Sequence, residues 1–302
     1  MNNTKNVFVT IIGRPNAGKS SLLNALIGEK IAAVSAKPQT TRTKITGVLT
    51  KDEIQYVFMD TPGMHKSKNK LSEHMINAVN ESVSDAEIIT LVVDCAKKPS
   101  EVEKVLTNNV KSSKSKVILA LNKIDLLENK DELIKRIAEY SDIYDFDEVI
   151  PISALNGDGL DILLKIYTDS AVEGPHYFPD DMLTDQPEKV VMAEIIREKA
   201  LNNLNEEIPH GIAVTIESLK ERDNRQGETI LDIEAIIFCE KESHKGIVIG
   251  KKGSMLRKIG EQARVELEDF FQIKVNLQCW VKVKEGWRNR EGLIRNFGLS
   301  SK

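Results

Sequence analysis

The chain has 302 residues, 41% hydrophobic and 29% charged, ordinary values for a globular protein with room for about two cores. Its 42 Lys and Arg against 46 Asp and Glu leave a formal charge of −4, so any nucleic-acid site must be a local basic patch. No apolar stretch approaches the ~18 residues of a membrane span, and Met1-Asn2-Asn3-Thr4-Lys5 lacks a secretory pattern. Three cysteines (Cys95, Cys239, Cys279) and five histidines (His65, His74, His176, His210, His244) show no metal-like spacing, which points to reduced thiols in the cytoplasm.

Residues 7–12 are apolar and β-branched, which predicts a buried parallel strand, while Leu22, Leu23, Leu26 and Ile27 recur at helical spacing over 19–28. Between them stands Gly13-Arg14-Pro15-Asn16-Ala17-Gly18-Lys19-Ser20, a G-x-x-x-x-G-K-S loop in the strand–loop–helix setting of a phosphate site. Its glycines let successive backbone N–H groups turn round phosphates at a helix N-terminus. Lys19 is expected across the β- and γ-phosphates, and the Ser20 hydroxyl on Mg²⁺.

The polar segment 35–43 follows and supplies a threonine for the metal; Thr41 is preferred to Thr40, with little to separate them. Such a segment orders only around a γ-phosphate. An edge strand over 44–50 and a strand over 54–59 lead to Asp60-Thr61-Pro62-Gly63-Met64. Alone this tetrapeptide and its neighbour read as a turn. At a strand end after a phosphate loop, Asp60 is expected to hold Mg²⁺ through a water and the Gly63 N–H to meet the γ-phosphate. Helices over 72–83, 99–110, 131–140 and 159–171 alternate with strands over 88–93, 117–121 and 149–152. The result is a doubly wound α/β domain over residues 1–171.

A phosphate loop does not choose the base. Asn122-Lys123-Ile124-Asp125 closes the strand 117–121, at the sheet edge where ligands bind. A carboxylate at Asp125 accepts from both N1–H and the 2-amino group of guanine. Adenine has neither donor and would leave it unpaired, a discrimination of roughly 10⁴-fold. Lys123 is expected to lay its stem over the base or loop, and Ser153-Ala154 resembles a loop that offers a backbone N–H to guanine O6. GTP or GDP is thus assigned to Gly13, Arg14, Pro15, Asn16, Ala17, Gly18, Lys19, Ser20, Asp60, Thr61, Pro62, Gly63, Met64, Asn122, Lys123, Ile124, Asp125, Ser153 and Ala154. The metal falls to Ser20, Thr41 and Asp60, and hydrolysis to Lys19, Thr41, Asp60, Gly63 and Asn16.

Periodicity stops over 172–187, where Gly174, Pro175, Pro179 and Pro187 cluster, and a linker is expected. A second domain over 188–302 reads helix (188–204), strand (212–219), strand (229–240), two helices and a strand (273–284), an α+β order. Between the helices lies Val248-Ile249-Gly250-Lys251-Lys252-Gly253, whose glycines bare the backbone for RNA phosphates. Residues 245–264 hold six basic side chains against Glu261 alone, among them Lys251, Lys252, Arg257 and Lys258. Val248, Ile249 and Ile259 are expected to floor the groove, with Phe270, Phe271 and Trp280 in the core. The tail 287–297 reads as a short helix packed back on this domain.

The set GRPNAGKS, QTTR, DTPG, NKID and SAL, followed by a type II KH segment, resembles the Era family of bacterial ribosome-assembly GTPases over nearly the whole chain. The resemblance implies GTP hydrolysis with Mg²⁺, binding of the 3′ end of small-subunit ribosomal RNA, a role in maturing that subunit, and peripheral contact with the cell membrane by a monomer. It departs from Ras-type enzymes at Met64, where those place a water-orienting glutamine. Asn16 matches a position that helps relatives bind a monovalent cation such as K⁺; an internal loop cap is the equal alternative. Two other classes stay open: an RNA-binding nucleotide sensor without turnover, and a phosphate-loop ATPase or kinase with an appended KH domain.

Overall fold

The structure, a computed structural model, describes residues 4–37, 39–64, 69–84, 86–111, 113–224 and 226–299. Met1-Asn2-Asn3, Pro38 of the segment 35–43, His65 and the rest of 65–68 lie outside the described residues. The first sheet is built from β1 (Lys5–Ile12), β2 (Ile45–Lys51), β3 (Ile54–Asp60), β4 (Ile88–Asp94), β5 (Lys116–Asn122) and β6 (Glu148–Pro151). Its order is β2-β3-β1-β4-β5-β6, parallel except for the antiparallel edge pair of β2 and β3. Parallel strands buried on both faces need continuous apolar runs, and all seven residues of β4 are buried.

Helices cover both faces. α1 (Lys19–Ile27) and, later, α5 (Leu160–Ser170) seal one side; α2 (Lys70–Ser84), α3 (Glu101–Val110) and α4 (Lys130–Ser141) lie on the other side. β1 stands between β3 and β4, where the order of connections reverses, so the loop after β1 opens into the crevice of the sheet.

The expected linker is not a free tether. Its start forms β7 (Val172–Glu173), antiparallel to β1. Gln55 then holds it, accepting from the N–H groups of Tyr177 and Phe178 at 2.7 and 3.0 Å and donating to the Phe178 carbonyl at 2.9 Å. Leu183 and Thr184 continue along β2, with the Val48 N–H 2.8 Å from the Leu183 carbonyl. Proline and glycine erase periodicity without preventing docking, because the polar partners are the Gln55 side chain of β3 and the backbones of β1 and the edge strand β2.

The second domain is α6 (Glu188–Asn203), β8 (Ala213–Asp223), β9 (Thr229–Cys239), α7 (Glu242–Ile249), α8 (Ser254–Phe271) and β10 (Lys274–Val283). Its sheet runs β10-β9-β8, with β9 and β10 parallel and β8 antiparallel to β9. The three helices cover one face. On the other face a 3₁₀ turn (Trp287–Asn289) and α9 (Glu291–Asn296) fold back onto Ala213, Ile236 and Phe238, joined by Leu71 and Met75 of α2. This apolar cluster spans both domains. Trp287, fully buried, anchors it and donates Nε1–H to the Gly211 carbonyl at 2.9 Å.

Trp280, expected in the core, is 58% exposed. The alternation of β10 explains it: Val275, Leu277, Cys279 and Val281 face the helices, and the intervening residues face outward beyond the reach of the tail. Replacing Trp287 by Ala is expected to cost about 3–5 kcal/mol, read as a lowered urea midpoint. The exposed Trp280→Ala should leave that midpoint within about 0.5 kcal/mol.

Candidate functional site

Gly18 precedes α1 with φ 101°, and a β-carbon there would overlap the Asn122 amide. Lys19 is 5% exposed and its Nζ donates to the Arg14 carbonyl at 3.3 Å, so the ammonium folds over the loop. Burial lowers its pKa, and Asp60 opposes that shift. Asp60 is itself wholly buried. Burial raises its pKa, with Lys19 and the hydroxyls of Ser20 and Thr41 pulling the other way.

Those hydroxyls converge. Ser20 Oγ donates to Asp60 Oδ2 at 2.6 Å and lies 2.7 Å from Thr41 Oγ1, which sits 3.4 Å from the same carboxylate oxygen. Asp60 Oδ1 is buried with no hydrogen-bond partner among the described residues. Two hydroxyls and a carboxylate with an unsatisfied oxygen form a hard donor set that suits Mg²⁺. Thr40 instead turns its hydroxyl to the Lys37 carbonyl at 2.7 Å. The geometry sets Thr41, the threonine preferred from the sequence, beside Asp60 and turns Thr40 to its own loop.

The other expected residues of the crevice make the following contacts. Asn16 donates Nδ2–H to the Ala36 carbonyl at 2.6 Å, tying the phosphate loop to the segment 35–43. The Arg14 guanidinium points away from the crevice, its Nε 3.2 Å from the fully buried Glu103 of α3. Met64 is packed at 8% exposure with Val79, Val83 and Leu91, so its side chain offers nothing to a water at the crevice. Thr61 is buried, its hydroxyl donating to the Ile11 carbonyl at 2.9 Å, and Gly63, next to Pro62, packs closely on Pro15.

At the base end, Asn122 is a brace: it donates to the Ala17 carbonyl at 2.9 Å and accepts from the Ala154 N–H at 3.0 Å. It thereby ties three loops together, while Asp125 is exposed and accepts from Ser153 Oγ at 2.5 Å. Lys123, at φ 70°, donates to the Asn16 carbonyl at 2.8 Å and to Asp94 at 2.9 Å. Burial would raise the Asp94 pKa, but Lys123 and Lys97 outweigh it and hold the carboxyl below its usual range. Ile124 is half-buried beneath this turn.

Sequence reasoning passed over the residues that join this crevice to the second domain. Arg42, 3% exposed, donates to the carbonyls of Ile212 and His210 at 2.6 and 3.0 Å and lies 5.5 Å over the Trp287 ring. Burial and the neighbouring Arg197 depress its pKa to about 9. Arg197 of α6 donates to the Thr40 carbonyl. Glu198 accepts from the Val34 N–H at 2.8 Å and from Lys30 at 2.7 Å. The second domain thus grips residues 40 and 42 on either side of Thr41.

In the second domain α7 ends at Gly250 (φ 72°), and α8 begins after Gly253 (φ 79°). A β-carbon on Gly250 would stand 2.7 Å from that of Met255, so only glycine lets the turn close. Lys251, Lys252, Arg257 and Lys258 are exposed at this turn or just after it. Beside it runs a groove of about 380 Å³ between α8 and β10, lined by Leu256, Arg257, Arg264, Leu277 and Cys279. Val248 and Ile259, expected in its floor, are fully buried in the domain core. Ile249 is half-buried, and Ile247 on the same helix is 51% exposed. The period of the short helix α7 turns Val248 inward and Ile247 outward. Burial pushes the Cys279 thiol up to about 11, so it contributes apolar surface.

A phosphate loop, a hydroxyl–carboxylate metal set, an exposed aspartate at the base end and a KH-type turn define a guanine-nucleotide-binding protein with an RNA-binding module. Comparison with known proteins agrees: residues 8–123 match the 50S ribosome-binding GTPase family model and residues 207–288 the KH domain model. GTPase Era of Clostridioides difficile (strain 630) is 50% identical over 298 residues, covering 99% of each chain. That of Caldanaerobacter subterraneus subsp. tengcongensis is 48% identical over 295 residues, covering 97% of each. A crystal structure of Era in complex with MgGDPNP and nucleotides 1506–1542 of 16S ribosomal RNA superposes with TM-score 0.94 at 37% identity, over 99% of this chain and 100% of that one. A point variant of Aquifex aeolicus Era bound to GDP·AlF4⁻ gives 0.93, also at 37% identity, with the same shares of the two chains covered. The chain belongs to the Era GTPase family, and it is a GTPase.

Asp125→Asn is expected to weaken GDP binding by ~10⁴-fold and to create a preference for xanthosine diphosphate, measured by competition against a fluorescent GDP. Thr41→Ala should cut phosphate release severely, whereas Thr40→Ala should leave it within about threefold.

Proposed function

We propose that this GTPase uses GTP to control a single-stranded RNA site, the 3′ end of small-subunit ribosomal RNA, during maturation of that subunit. The observation that carries the coupling is the position of Thr41: its hydroxyl is in the Asp60 cluster while the flanking residues are held by the KH domain. The rRNA target is supported by family membership and by the RNA-bound Era structure.

In this reading Ser20, Thr41 and Asp60 hold Mg²⁺, directly or through water, and the ion supplies charge neutralisation for the phosphates. Lys19 and the amides of residues 13–18 bind the β- and γ-phosphates, and the Gly63 N–H orients the γ-phosphate for in-line attack by water. Asp125 and the Ser153-Ala154 loop read guanine. With Met64 packed away, neither a glutamine nor an arginine finger is assigned, so intrinsic turnover should be slow, ~10⁻⁴ to 10⁻² s⁻¹. Asn16 releases Ala36 to help hold K⁺ beside the phosphates when GTP is bound; hydrolysis that is equally fast in K⁺ and Na⁺ would remove that role.

At the KH domain, the turn 250–253 clamps phosphates with its backbone and with Lys251 and Lys252, and the strand continues past Arg257 and Lys258 along the α8–β10 groove. Ile249 contributes at the rim, while buried Val248 supports the turn from below. The cytoplasmic setting, the monomeric state and peripheral membrane contact belong to this reading on family resemblance alone. Among the described residues no helix is long and apolar enough to cross a membrane.

Replacing Lys251 and Lys252 by Asp should abolish binding of an RNA comprising 16S nucleotides 1506–1542, in filter binding, while GDP affinity stays unchanged. Unaltered RNA affinity would remove the groove assignment. Multiple-turnover phosphate release with that RNA present separates this switch from a passive nucleotide sensor.

A further inference from the structure

Trp280 is the largest exposed side chain on the second sheet and has no role in the fold or the groove described above. It stands on β10, one of the two edge strands of that sheet. Its neighbour Cys279 lines the α8–β10 groove, so Trp280 sits on the reverse side of the same strand, one residue away. The outward positions of β10 and its extension are Lys274, Asn276, Gln278, Trp280, Lys282 and Lys284, without an acidic residue. On the adjoining β9, Asp232 is already paired with Arg222 at 2.6 Å and with Asn276 at 2.8 Å, and Glu234 faces Gln278.

An exposed indole on an otherwise polar strand face, with Lys282 and Lys284 following it, is suited to a flat aromatic base whose phosphates lie on the lysine side. An edge strand also leaves backbone N–H and C=O groups unpaired along its open side, where base edges can hydrogen-bond. We propose that single-stranded RNA leaving the groove turns round the edge of β10 and stacks a base on Trp280, with Lys282 and Lys284 on its phosphates. The inference rests on the RNA reading of the groove and extends it to a face that the glycine turn does not reach. Continuity with the groove and the lysine-only charge of the strand favour RNA over a protein partner, whose docking would want a wider apolar patch.

The test uses the full chain, loaded with GDP or a GTP analogue, and the RNA of 16S nucleotides 1506–1542. Trp280 and the buried Trp287 are the chain's only tryptophans, so quenching by RNA reports the exposed one. Wild-type emission should be quenched on binding. Trp280→Ala should weaken binding ~5- to 150-fold, the range of one lost stacking contact, and Trp280→Phe should retain affinity within about threefold. RNA that binds the wild type without quenching, with Trp280→Ala at full affinity, overturns the inference. If Lys251 and Lys252 still matter in that case, the groove survives and only the extension falls. If their replacement is also silent, both assignments fall together.

Discussion

A carboxylate sealed from water governs this molecule. Asp60 has no solvent exposure, and one of its oxygens has no partner among the described residues. Such a group costs several kcal/mol unless a cation or donors compensate. Lys19, Ser20 and Thr41 compensate in part, and they come from two stretches of chain: the first turn of α1 and the segment that follows it. Whatever binds at Asp60 must therefore select where Thr41 stands.

That constraint reaches the second domain because Thr41 has no slack. Arg42 commits its guanidinium to two carbonyls of residues 210 and 212 and to the Trp287 ring, and the Thr40 carbonyl is taken by Arg197. Charged hydrogen bonds of this kind contribute about 1.5–3 kcal/mol each, and a desolvated cation–π contact about 2. Moving Thr41 by an ångström must break or re-form some of them. The apolar cluster formed by Leu71, Met75, Phe238, Trp287 and Ile294 couples α2, which follows the Asp60 loop, to the same tail. The segment that carries Thr41 and the helix that follows the Asp60 loop thus bear on one patch of the KH domain.

Much of this was legible in the residues themselves. Continuous apolar runs fix buried parallel strands, so the strand ends and the loops that follow them could be placed to within a residue or two. The KH turn was legible because glycine is required where φ is positive and neighbours crowd the backbone, as at Gly250. Side-chain direction was not legible where periodicity is short. Val248 and Ile247 differ by one position on a helix of eight residues, and one is core while the other is surface. Trp280 was misplaced for a related reason: aromaticity suggests burial, but strand parity decides it. The interdomain contacts were invisible, since Arg42 and Arg197 are 155 residues apart in sequence and nothing local marks either as a partner. QTTR marked Arg42 as part of a motif without saying what it grips. The docked course of 172–187 was hidden likewise, because its hydrogen bonds come from Gln55 and β2.

The most direct measurement is RNA affinity in two nucleotide states, for the wild type and for Arg42→Ala. With the 16S 1506–1542 RNA, the wild type loaded with a non-hydrolysable GTP analogue and with GDP should differ by ~5- to 150-fold, the usual span of a coupling free energy. Arg42→Ala should bind both nucleotides normally and bring the two RNA affinities together. Equal affinities in the wild type, or a difference that survives loss of Arg42 intact, would contradict transmission through Thr41 and its neighbours.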